Sequence, residues 1–239
     1  MTRTGDAVSK LRVEVCDANK DLANRGLARF TFGNASAIDR DAGVVLIKPS
    51  GVPYAAMTPA DMVIVDLAGK IVEGTLRPSS DLATHLELYR AFEKIGGVVH
   101  THSRYATLWA QSQREIPCFG TTHADYFHGS IPVTTHLKVQ DIQAEYEANT
   151  GREIVRRFKG IDPLRMPAVL VAGHASFCWG ETVRAAVEIA DLLEEIAFMA
   201  YGTIALNAEA APLPAELLEK HFMRKHGPAA YYGQGKAKG

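Results

Sequence analysis

Residues 97–103, GVVHTHS, predict a buried strand that ends in two histidines. Small and apolar residues fill positions 97–99, as in a strand with both faces covered. Successive side chains of a strand point to opposite faces, so His100 and His102 project from the same face. Two imidazoles on one face can hold two positions around a metal ion. Two ligands seldom suffice, so a metal site needs others from elsewhere in the sequence.

Strand and helix patterns alternate on both sides of this stretch. Amphipathic spacing predicts helices and short apolar runs predict strands. Predicted helices cover residues 8–26, 80–94, 106–113 and 182–205, and predicted strands cover residues 44–48, 62–66, 70–72 and 168–172. Interleaved strands and helices indicate an α/β fold in which helices cover a sheet.

Composition and charge restrict the possible functions. The chain has 239 residues, 47% of them hydrophobic, and a formal net charge of −1. This hydrophobic content is enough for a sizeable core, and the small charge gives no basis for binding nucleic acid or an acidic membrane surface. There is no internal repeat and no linker, so we expect a single domain over residues 1–239, with loose ends at about 1–7 and 235–239.

The cysteines and the N-terminal residues predict a cytoplasmic protein. Cys16, Cys118 and Cys178 are far apart and form no CxxC pair, which is typical of reduced thiols. Residues 1–10 are polar and lack the apolar stretch of a secretory signal. No apolar run reaches the roughly 18 residues of a membrane helix.

A third histidine extends the possible metal site. His174 follows the apolar residues 169–171, and we expect it at the end of a strand next to the histidine strand. Three imidazoles with an open position are a catalytic arrangement for Zn²⁺ and also suit Mn²⁺ or Co²⁺. Asp81 is a candidate for a fourth, oxygen ligand or for an outer partner. The chain has nine histidines, so ordinary buried or surface histidines remain an alternative.

Three polar segments could together bind a phosphate group. Ser79 and Ser80 precede a predicted helix, where free backbone N–H groups attract anions. Lys48 and Ser50 follow a predicted strand, and Asn34 lies in a predicted flexible turn. A helix N-cap and two polar turns are the alternative interpretation. The chain has neither a glycine-rich P-loop nor a GxGxxG pattern, so nothing indicates a nucleotide.

Two further groups could move protons. Asp125 lies in a polar segment, residues 121–126, and a carboxylate near a metal can act as an acid or a base. Tyr231 and Tyr232 stand close to the C-terminus, where tyrosines are unusual. They suggest a tail that docks, for example on a neighbouring subunit, where a hydroxyl could transfer a proton. Plain packing of both rings is the alternative.

The order of these motifs resembles that of the class II aldolase/epimerase family. The resemblance covers residues 11–234, nearly the whole chain. Its landmarks are FGNAS (32–36), IKPSG (47–51), EGTLRPSSD (73–81), HTHS (100–103), GTTHADYF (120–127), RKHG (224–227) and YYGQ (231–234). Within the family the match is closest to the branch that epimerises pentulose phosphates at C4.

The resemblance implies a fold and a set of site residues. The implied fold is a three-layer α/β/α arrangement with a central, mostly antiparallel mixed sheet. The implied cofactor is a divalent metal, Zn²⁺ in the first place and otherwise Mn²⁺ or Co²⁺, with these residues at the site: His100, His102, His174 and Asp81. The implied phosphate pocket consists of Asn34, Lys48, Ser50, Ser79 and Ser80.

The resemblance also implies an assembly and an activity. The family's proton-handling residues would be Asp125 and Tyr232, and less defined positions near the site match Thr121, Glu147 and His221. The family forms homotetramers with active sites between subunits, so Asp125 and Tyr232 would reach a neighbour's metal. The implied activity is L-ribulose-5-phosphate 4-epimerase, which interconverts L-ribulose 5-phosphate and D-xylulose 5-phosphate by breaking and re-forming the C3–C4 bond.

Two other functions remain open at this stage. A class II sugar-phosphate aldolase of the fuculose-phosphate type would stop after cleavage, but it carries glutamate where Asp81 stands. A non-catalytic interaction module similar to the adducin head would be expected to lose metal ligands, whereas three histidines are present. Asp81, Asp125 and Tyr232 together favour the epimerase.

Overall fold

In the residues that the structure describes, seven strands form one antiparallel sheet. A computed structural model describes residues 3–228, 230 and 231. In chain order the strands are β1 Asn34–Asp39, β2 Val44–Ile47, β3 Val63–Asp66, β4 Ile71–Glu73, β5 Gly97–Thr101, β6 Ala168–Leu170 and β7 Ser176–Gly180. They lie in the order β4-β3-β2-β1-β5-β7-β6, and each neighbouring pair is antiparallel. One isolated parallel bridge joins Val133 to Leu170.

Helices cover both faces of this sheet. In the described residues they are α1 Arg3–Asn24, α2 Leu82–Ala91, α3 Arg104–Ser112, α4 Thr121–Ala124, α5 Val139–Gln143, α6 Tyr146–Arg157, α7 Val183–Leu206 and α8 Ala215–His226. α1 and α7 pack on β1, β5 and β7 from one side, and α2 with α6 lies on the other. The predicted α/β fold, with three layers and a mostly antiparallel sheet, is confirmed.

The long helix α7 illustrates why the sequence forms this layer. Its buried residues recur at helical spacing: Val183, Val187, Ala190, Leu193, Ala197 and Ala200. The Thr182 hydroxyl accepts a hydrogen bond from the Ala185 N–H at 3.1 Å and thereby caps the first turn. The stripe lies against the sheet, and charged residues occupy the opposite face. No helix in the described part of the chain is both long and apolar enough to cross a bilayer.

The segment predicted as a flexible turn is in fact a central strand. Asn34 begins β1, which lies between β2 and β5, and the turn ends at Gly33, whose φ is +98°. Asn, Ala and Ser have low strand propensity, so the pattern does not predict a strand. The polar side chains are stabilised from outside the strand, since Ser36 hydrogen bonds with His85 at 2.7 Å and with Tyr89 at 2.8 Å.

The strand that precedes His174 is not the direct neighbour of the histidine strand, contrary to the sequence-based expectation. β7 lies between β5 and β6 and pairs His100 with Phe177. The β6–β7 hairpin turns at His174 and brings this residue back towards the end of β5. The hydrophobic pattern does not predict this tight chain reversal, because both strands of the hairpin are apolar.

Two segment boundaries also differ from the sequence-based expectations. α1 begins at Arg3, inside the segment expected to be loose, whereas residues 235–239 lie outside the described part. α2 covers only Leu82–Ala91, and Asp81 is its N-cap residue without a side-chain capping bond. The start of α1, residues 3–7, carries no apolar spacing, whereas Phe92 continues the apolar spacing past the end of α2, so this spacing does not mark either boundary.

Gly97 is required where α7 begins against β5. A Cβ atom there would lie 2.3 Å from the Cα of Val183 and 2.5 Å from its backbone nitrogen. We therefore expect Gly97→Ala to lower the free energy of unfolding by about 3 kcal/mol, since backbone must move to admit the methyl group. Denaturant unfolding should be compared with Gly202→Ala in α7, where a Cβ meets nothing within 4 Å. That control should gain up to about 1 kcal/mol from helix propensity; equal stabilities of the two variants would refute the packing argument.

Candidate metal centre

Three histidines meet where β5 ends and the β6–β7 hairpin turns. His100 is the fourth residue of β5, His102 follows that strand, and His174 lies in the turn. One ligand nitrogen from each lies within 4.8 Å of the other two. The ring centroids are 4.8 to 4.9 Å apart. His100 is buried, His174 is half-buried and His102 is exposed, so the cluster opens to solvent on one side.

Hydrogen bonding and burial prepare His100 for metal binding. Its Nδ1–H donates to the Ser176 carbonyl at 2.9 Å, because a carbonyl oxygen can only accept. This leaves the lone pair of Nε2 free. Burial lowers the pKa of His100 to about 3, and it also lowers the pKa of His102 and of His174. All three imidazoles are therefore neutral near pH 7, which is the form that binds metals.

The donor set fits a first-row divalent ion. Three neutral imidazole nitrogens with one open side suit Zn²⁺, Mn²⁺ or Co²⁺. The backbone carbonyl that orients His100 is the kind of outer partner that metal-binding histidines usually have. The sequence-based grouping of these three histidines thus corresponds to one compact cluster.

Asp81 lies beside the cluster. Among the described residues the atoms that meet within 4.8 Å belong to the three histidines and not to Asp81. Its Oδ2 accepts a hydrogen bond from Asn34 Nδ2 at 2.6 Å. Burial raises the pKa of Asp81, but His100, His85 and the Asn34 amide outweigh it, so the pKa is lowered overall. An ionised carboxylate therefore faces the histidines, and its direct coordination of a metal stays a prediction.

The predicted phosphate-binding segments are brought together. The Ser50 N–H donates to the Arg77 carbonyl and the Ser79 N–H donates to the Lys48 carbonyl, both at 2.9 Å. Asn34 Nδ2 also donates to Ser79 Oγ at 3.0 Å. The same amide thus contacts both the serine segment and Asp81. Ser50 and Ser80 are exposed next to this contact.

Lys48 is the unusual member of this group. Lys48 is only 2% exposed. Among the hydrogen bonds of the described residues, its Nζ donates only to the neighbouring Pro49 carbonyl, at 3.2 Å. The ammonium lies 5.0 Å from the centroid of the Tyr54 ring. Burial lowers the pKa of Lys48. A buried ammonium with few acceptors has unused capacity for an anion.

Asp125 lies in a separate cluster with the C-terminal helix. Arg224 Nε donates to Asp125 Oδ1 at 2.9 Å, and Arg224 Nη2 donates to Oδ2 at 2.6 Å. His221 Nδ1–H donates to Oδ1 at 3.0 Å. These contacts hold Asp125 against α8 and do not include the three histidines. Tyr232 lies outside the described residues, so its role stays a prediction.

The three other positions that match the family lie in two separate parts of the structure: two beside Asp125 and one beside Thr84. His221 contacts Asp125, and Thr121 accepts the Asp125 N–H at 2.9 Å through its carbonyl. The Glu147 carbonyl accepts from the Thr84 hydroxyl at 2.6 Å. Thr121 and Glu147 are half-buried.

Sequence reasoning missed two tyrosines near the site. The Tyr54 hydroxyl donates to the Gly33 carbonyl at 2.7 Å, and the Tyr54 ring lies under the Lys48 ammonium. The Tyr146 hydroxyl lies 3.4 Å from His174 Nδ1. Neither tyrosine belongs to a motif, and only the proximity of Tyr54 to the IKPSG segment offers a signal.

Comparison with known proteins gives one consistent result. Residues 13–201 match the family model described as "Class II Aldolase and Adducin N-terminal domain". An L-fuculose 1-phosphate aldolase is 24% identical, with a TM-score of 0.75 over 89% of this chain and 94% of that chain. YgbL of Klebsiella pneumoniae, for which aldolase, epimerase and decarboxylase activities are named as candidates, is 26% identical, with a TM-score of 0.72 over 89% and 98%.

A third structure agrees with these two. The L-fuculose-1-phosphate aldolase of Thermus thermophilus is 25% identical, with a TM-score of 0.67 over 84% of this chain and 98% of that chain. The matched segment includes every member of the histidine cluster and the phosphate-binding candidates. The chain therefore belongs to the class II aldolase and adducin N-terminal domain family.

Proposed function

We propose that this chain is a metal-dependent L-ribulose-5-phosphate 4-epimerase. The observation that carries the proposal is the position of Asn34, whose amide contacts Ser79 in the predicted phosphate pocket and Asp81 beside the histidines. One small molecule could therefore present a phosphate to one group and sugar oxygens to the other. This arrangement supports a phosphorylated sugar as the substrate.

Different groups of residues would bind the metal ion and the phosphate of the substrate. His100, His102 and His174 would hold the divalent ion, with Asp81 beside it. The ion would supply Lewis acidity that polarises the C2 carbonyl and stabilises negative charge during C3–C4 cleavage. Lys48, Ser50 and Ser79 would hold the phosphate of the aldehyde fragment while that fragment turns its other face.

Two proton carriers are needed because the C4 oxygen points in different directions before and after inversion. The C4–H bond is not acidic, since the carbonyl is at C2, so proton abstraction from that carbon is a poor route. A base must instead remove the C4 hydroxyl proton to start the cleavage, and an acid must return a proton after re-formation. We assign these roles to Asp125 and Tyr232 without assigning an epimer to either.

The deciding experiment is interconversion of L-ribulose 5-phosphate and D-xylulose 5-phosphate by purified, metal-loaded protein. Interconversion that a chelator abolishes and added Zn²⁺, Mn²⁺ or Co²⁺ restores is the expected result. Retained metal without interconversion would overturn the epimerase assignment. Metal-free protein without activity would instead favour a non-catalytic role similar to that of the adducin head.

The second candidate is aldol cleavage of a ketose 1-phosphate. The observation in its favour is the likeness to two L-fuculose 1-phosphate aldolases. Aspartate at position 81 argues against it, because the fuculose-phosphate type carries glutamate there. Net release of an aldehyde from a ketose 1-phosphate by this protein would decide for the aldolase.

Removing the charge of Lys48 tests the phosphate pocket. We expect Lys48→Met to raise KM for the phosphorylated substrate by about 10- to 100-fold, since a hydrogen bond to a charged group contributes roughly 1.5–3 kcal/mol. Bound metal should not change. Lys70→Met, in an exposed turn, is the matched control. An unchanged KM in Lys48→Met would remove Lys48 from the pocket.

The same pocket should show a pH dependence. Burial lowers the pKa of Lys48, so its ammonium loses the proton at a lower pH than an exposed lysine does. KM for the phosphorylated substrate should therefore rise as the pH is raised into the alkaline range. Lys48→Met should abolish this rise and keep KM high throughout.

Exposed apolar residues support an assembly of several copies. Exposed apolar side chains lie near the histidines, and we call Phe30, Phe32 and Tyr146 the metal-side patch: the Phe32 ring contacts the rings of Phe30 and His102, and Tyr146 contacts His174. A helix-side patch comprises the exposed residues Leu108, Phe198 and Tyr201: Leu108 and Tyr201 line one cavity, and Phe198 and Tyr201 both contact the Tyr105 ring. The exposed Met199 shares a second cavity with α4, the helix before Asp125. Two different patches that meet head to tail can close a ring. A homotetramer built in this way would bring Asp125 of one copy to the histidines of the next.

Mixing two inactive variants tests this shared site. We expect His100→Asn and Asp125→Asn to be inactive alone and to recover activity when co-expressed. If equal amounts of the two variant chains assemble at random into tetramers, about one quarter of the sites would combine an intact histidine cluster with an intact aspartate. Light scattering should report tetramers in all three preparations. No recovery in confirmed mixed tetramers would show that each site belongs to one chain.

The state of the cysteines is consistent with the proposed location. Cys16, Cys118 and Cys178 are all buried and unpaired. Free thiols of this kind fit a reducing compartment, and we place the enzyme in the cytoplasm.

A further inference from the structure

We propose that Arg224 is a positioning residue: its guanidinium holds the Asp125 carboxylate so that the proton in the reaction is accepted at Oδ2. The inference rests on the proposed proton-transfer role of Asp125 and deepens it. It identifies the atom that reacts and the residue that orients it.

The two oxygens of Asp125 are not equivalent. Oδ1 accepts two hydrogen bonds, from Arg224 Nε at 2.9 Å and from His221 Nδ1 at 3.0 Å. Oδ2 accepts one, from Arg224 Nη2 at 2.6 Å, among the bonds that the structure defines. A carboxylate oxygen has about two in-plane lone pairs. Oδ1 is therefore saturated, and the lone pair that remains for a substrate hydroxyl is on Oδ2.

The fork of Arg224 fixes the carboxylate plane. Two parallel bonds from one guanidinium define an orientation that a single donor cannot impose. Asp125 is 7% exposed, so few other orientations are accessible to it. The His226 Nε2–H also donates to the Asp125 carbonyl at 2.9 Å, which holds the backbone of the same residue.

The charges around Asp125 keep it ionised. Burial raises its pKa, but Arg224 and His221 outweigh this effect, so the pKa is lowered overall, with Lys225 acting in the same direction at longer range. His123, on Asp125's own helix, is engaged with the Gly129 carbonyl at 2.9 Å. A carboxylate held in its charged form accepts a proton and does not donate one at neutral pH. Asp125 can therefore act as the base for the epimer whose C4 hydroxyl it faces.

Arg224 also connects Asp125 to the start of the C-terminal tail. Its carbonyl accepts the N–H of Tyr231 at 3.0 Å, and Tyr231 directly precedes the second proposed proton carrier. His221 and Arg224 are three residues apart on α8, so they lie on one helix face. One residue thus contacts Asp125 with its side chain and the tail with its backbone.

The test compares Arg224→Gln, Arg224→Lys and the control Lys220→Gln, which removes a charge from the exposed side of the same helix. The first measurement is the titration of the Asp125 carboxyl carbon by ¹³C NMR, assigned with Asp125→Asn. The second is kcat, KM and the pH profile of epimerisation. Circular dichroism and light scattering confirm the folded assembly.

We expect Arg224→Gln to raise the pKa of Asp125, because the neighbouring positive charge is gone, and to move the acid limb of kcat/KM to higher pH. At the plateau kcat should fall about 100-fold with KM nearly unchanged, as for a misplaced catalytic group. Arg224→Lys should restore the titration but only part of kcat, since lysine keeps the charge without the fork. Lys220→Gln should behave like the wild type.

The NMR titration separates the two ways of failing. If wild-type protein does not epimerise but Arg224→Gln still raises the pKa of Asp125, the proposed function is wrong and the contact stands. If the pKa is unchanged in Arg224→Gln, or if Arg224→Lys recovers full kcat, the positioning role is refuted even in an active epimerase.

Discussion

Replacing His100 with asparagine should remove the metal and nearly all activity. His100 is the most buried member of the histidine cluster, and its Nε2 lone pair is left free by the bond from Nδ1 to Ser176. Asparagine offers no imidazole nitrogen at that position. Loss of an outer partner typically weakens metal binding about 10- to 100-fold, so loss of a direct ligand should weaken it by at least about 100-fold.

The measurement is metal content per chain together with turnover. Asparagine is neutral and smaller than histidine, so the fold should persist, and circular dichroism should show this. His128→Asn is the matched control, because His128 contacts Glu219 away from the cluster. A His100→Asn protein that retained full metal and full turnover would refute the assignment of His100 as a ligand.

Replacing Asp125 with asparagine should slow epimerisation by about 10²- to 10⁴-fold, the usual contribution of a positioned proton-transfer group, while metal content stays unchanged. Asparagine has nearly the shape of aspartate but cannot serve as a base. The variant also loses the charged pair with Arg224, whose side chain is 24% exposed, so α8 should be held less firmly.

A matched control separates catalysis from this loss of an ion pair. Asp191→Asn removes a carboxylate paired with Arg25 at 2.6 Å on the surface of α7, away from the proposed site. That variant should keep full activity, because exposed pairs contribute about 0–1 kcal/mol. Equal rates for Asp125→Asn and Asp191→Asn would exclude Asp125 from the mechanism.

Local patterns predicted the elements whose burial is regular. The apolar run before His100 and the helical spacing of α7 depend on solvent exclusion, which acts on neighbouring residues, so a short window contains the signal. The sequence pattern did not predict strand β1, because the burial of its polar residues depends on distant segments and not on neighbouring ones. Asn34 and Ser36 are buried only because His85, Tyr89 and Ser79 provide hydrogen bonds from distant segments.

In the candidate site, too, one part is predictable from local sequence and another part depends on the folded chain. Local sequence specifies the chemistry that is available: three imidazoles, a lysine beside serines, and Asp125 within a polar segment. Which of these groups meet depends on the folded chain. The β6–β7 hairpin brings His174 to His100, Asn34 joins the serine segment to Asp81, and α8 places Arg224 on Asp125. Residue types are readable in a short segment, whereas such distances depend on chain reversals and long-range packing that no single segment contains.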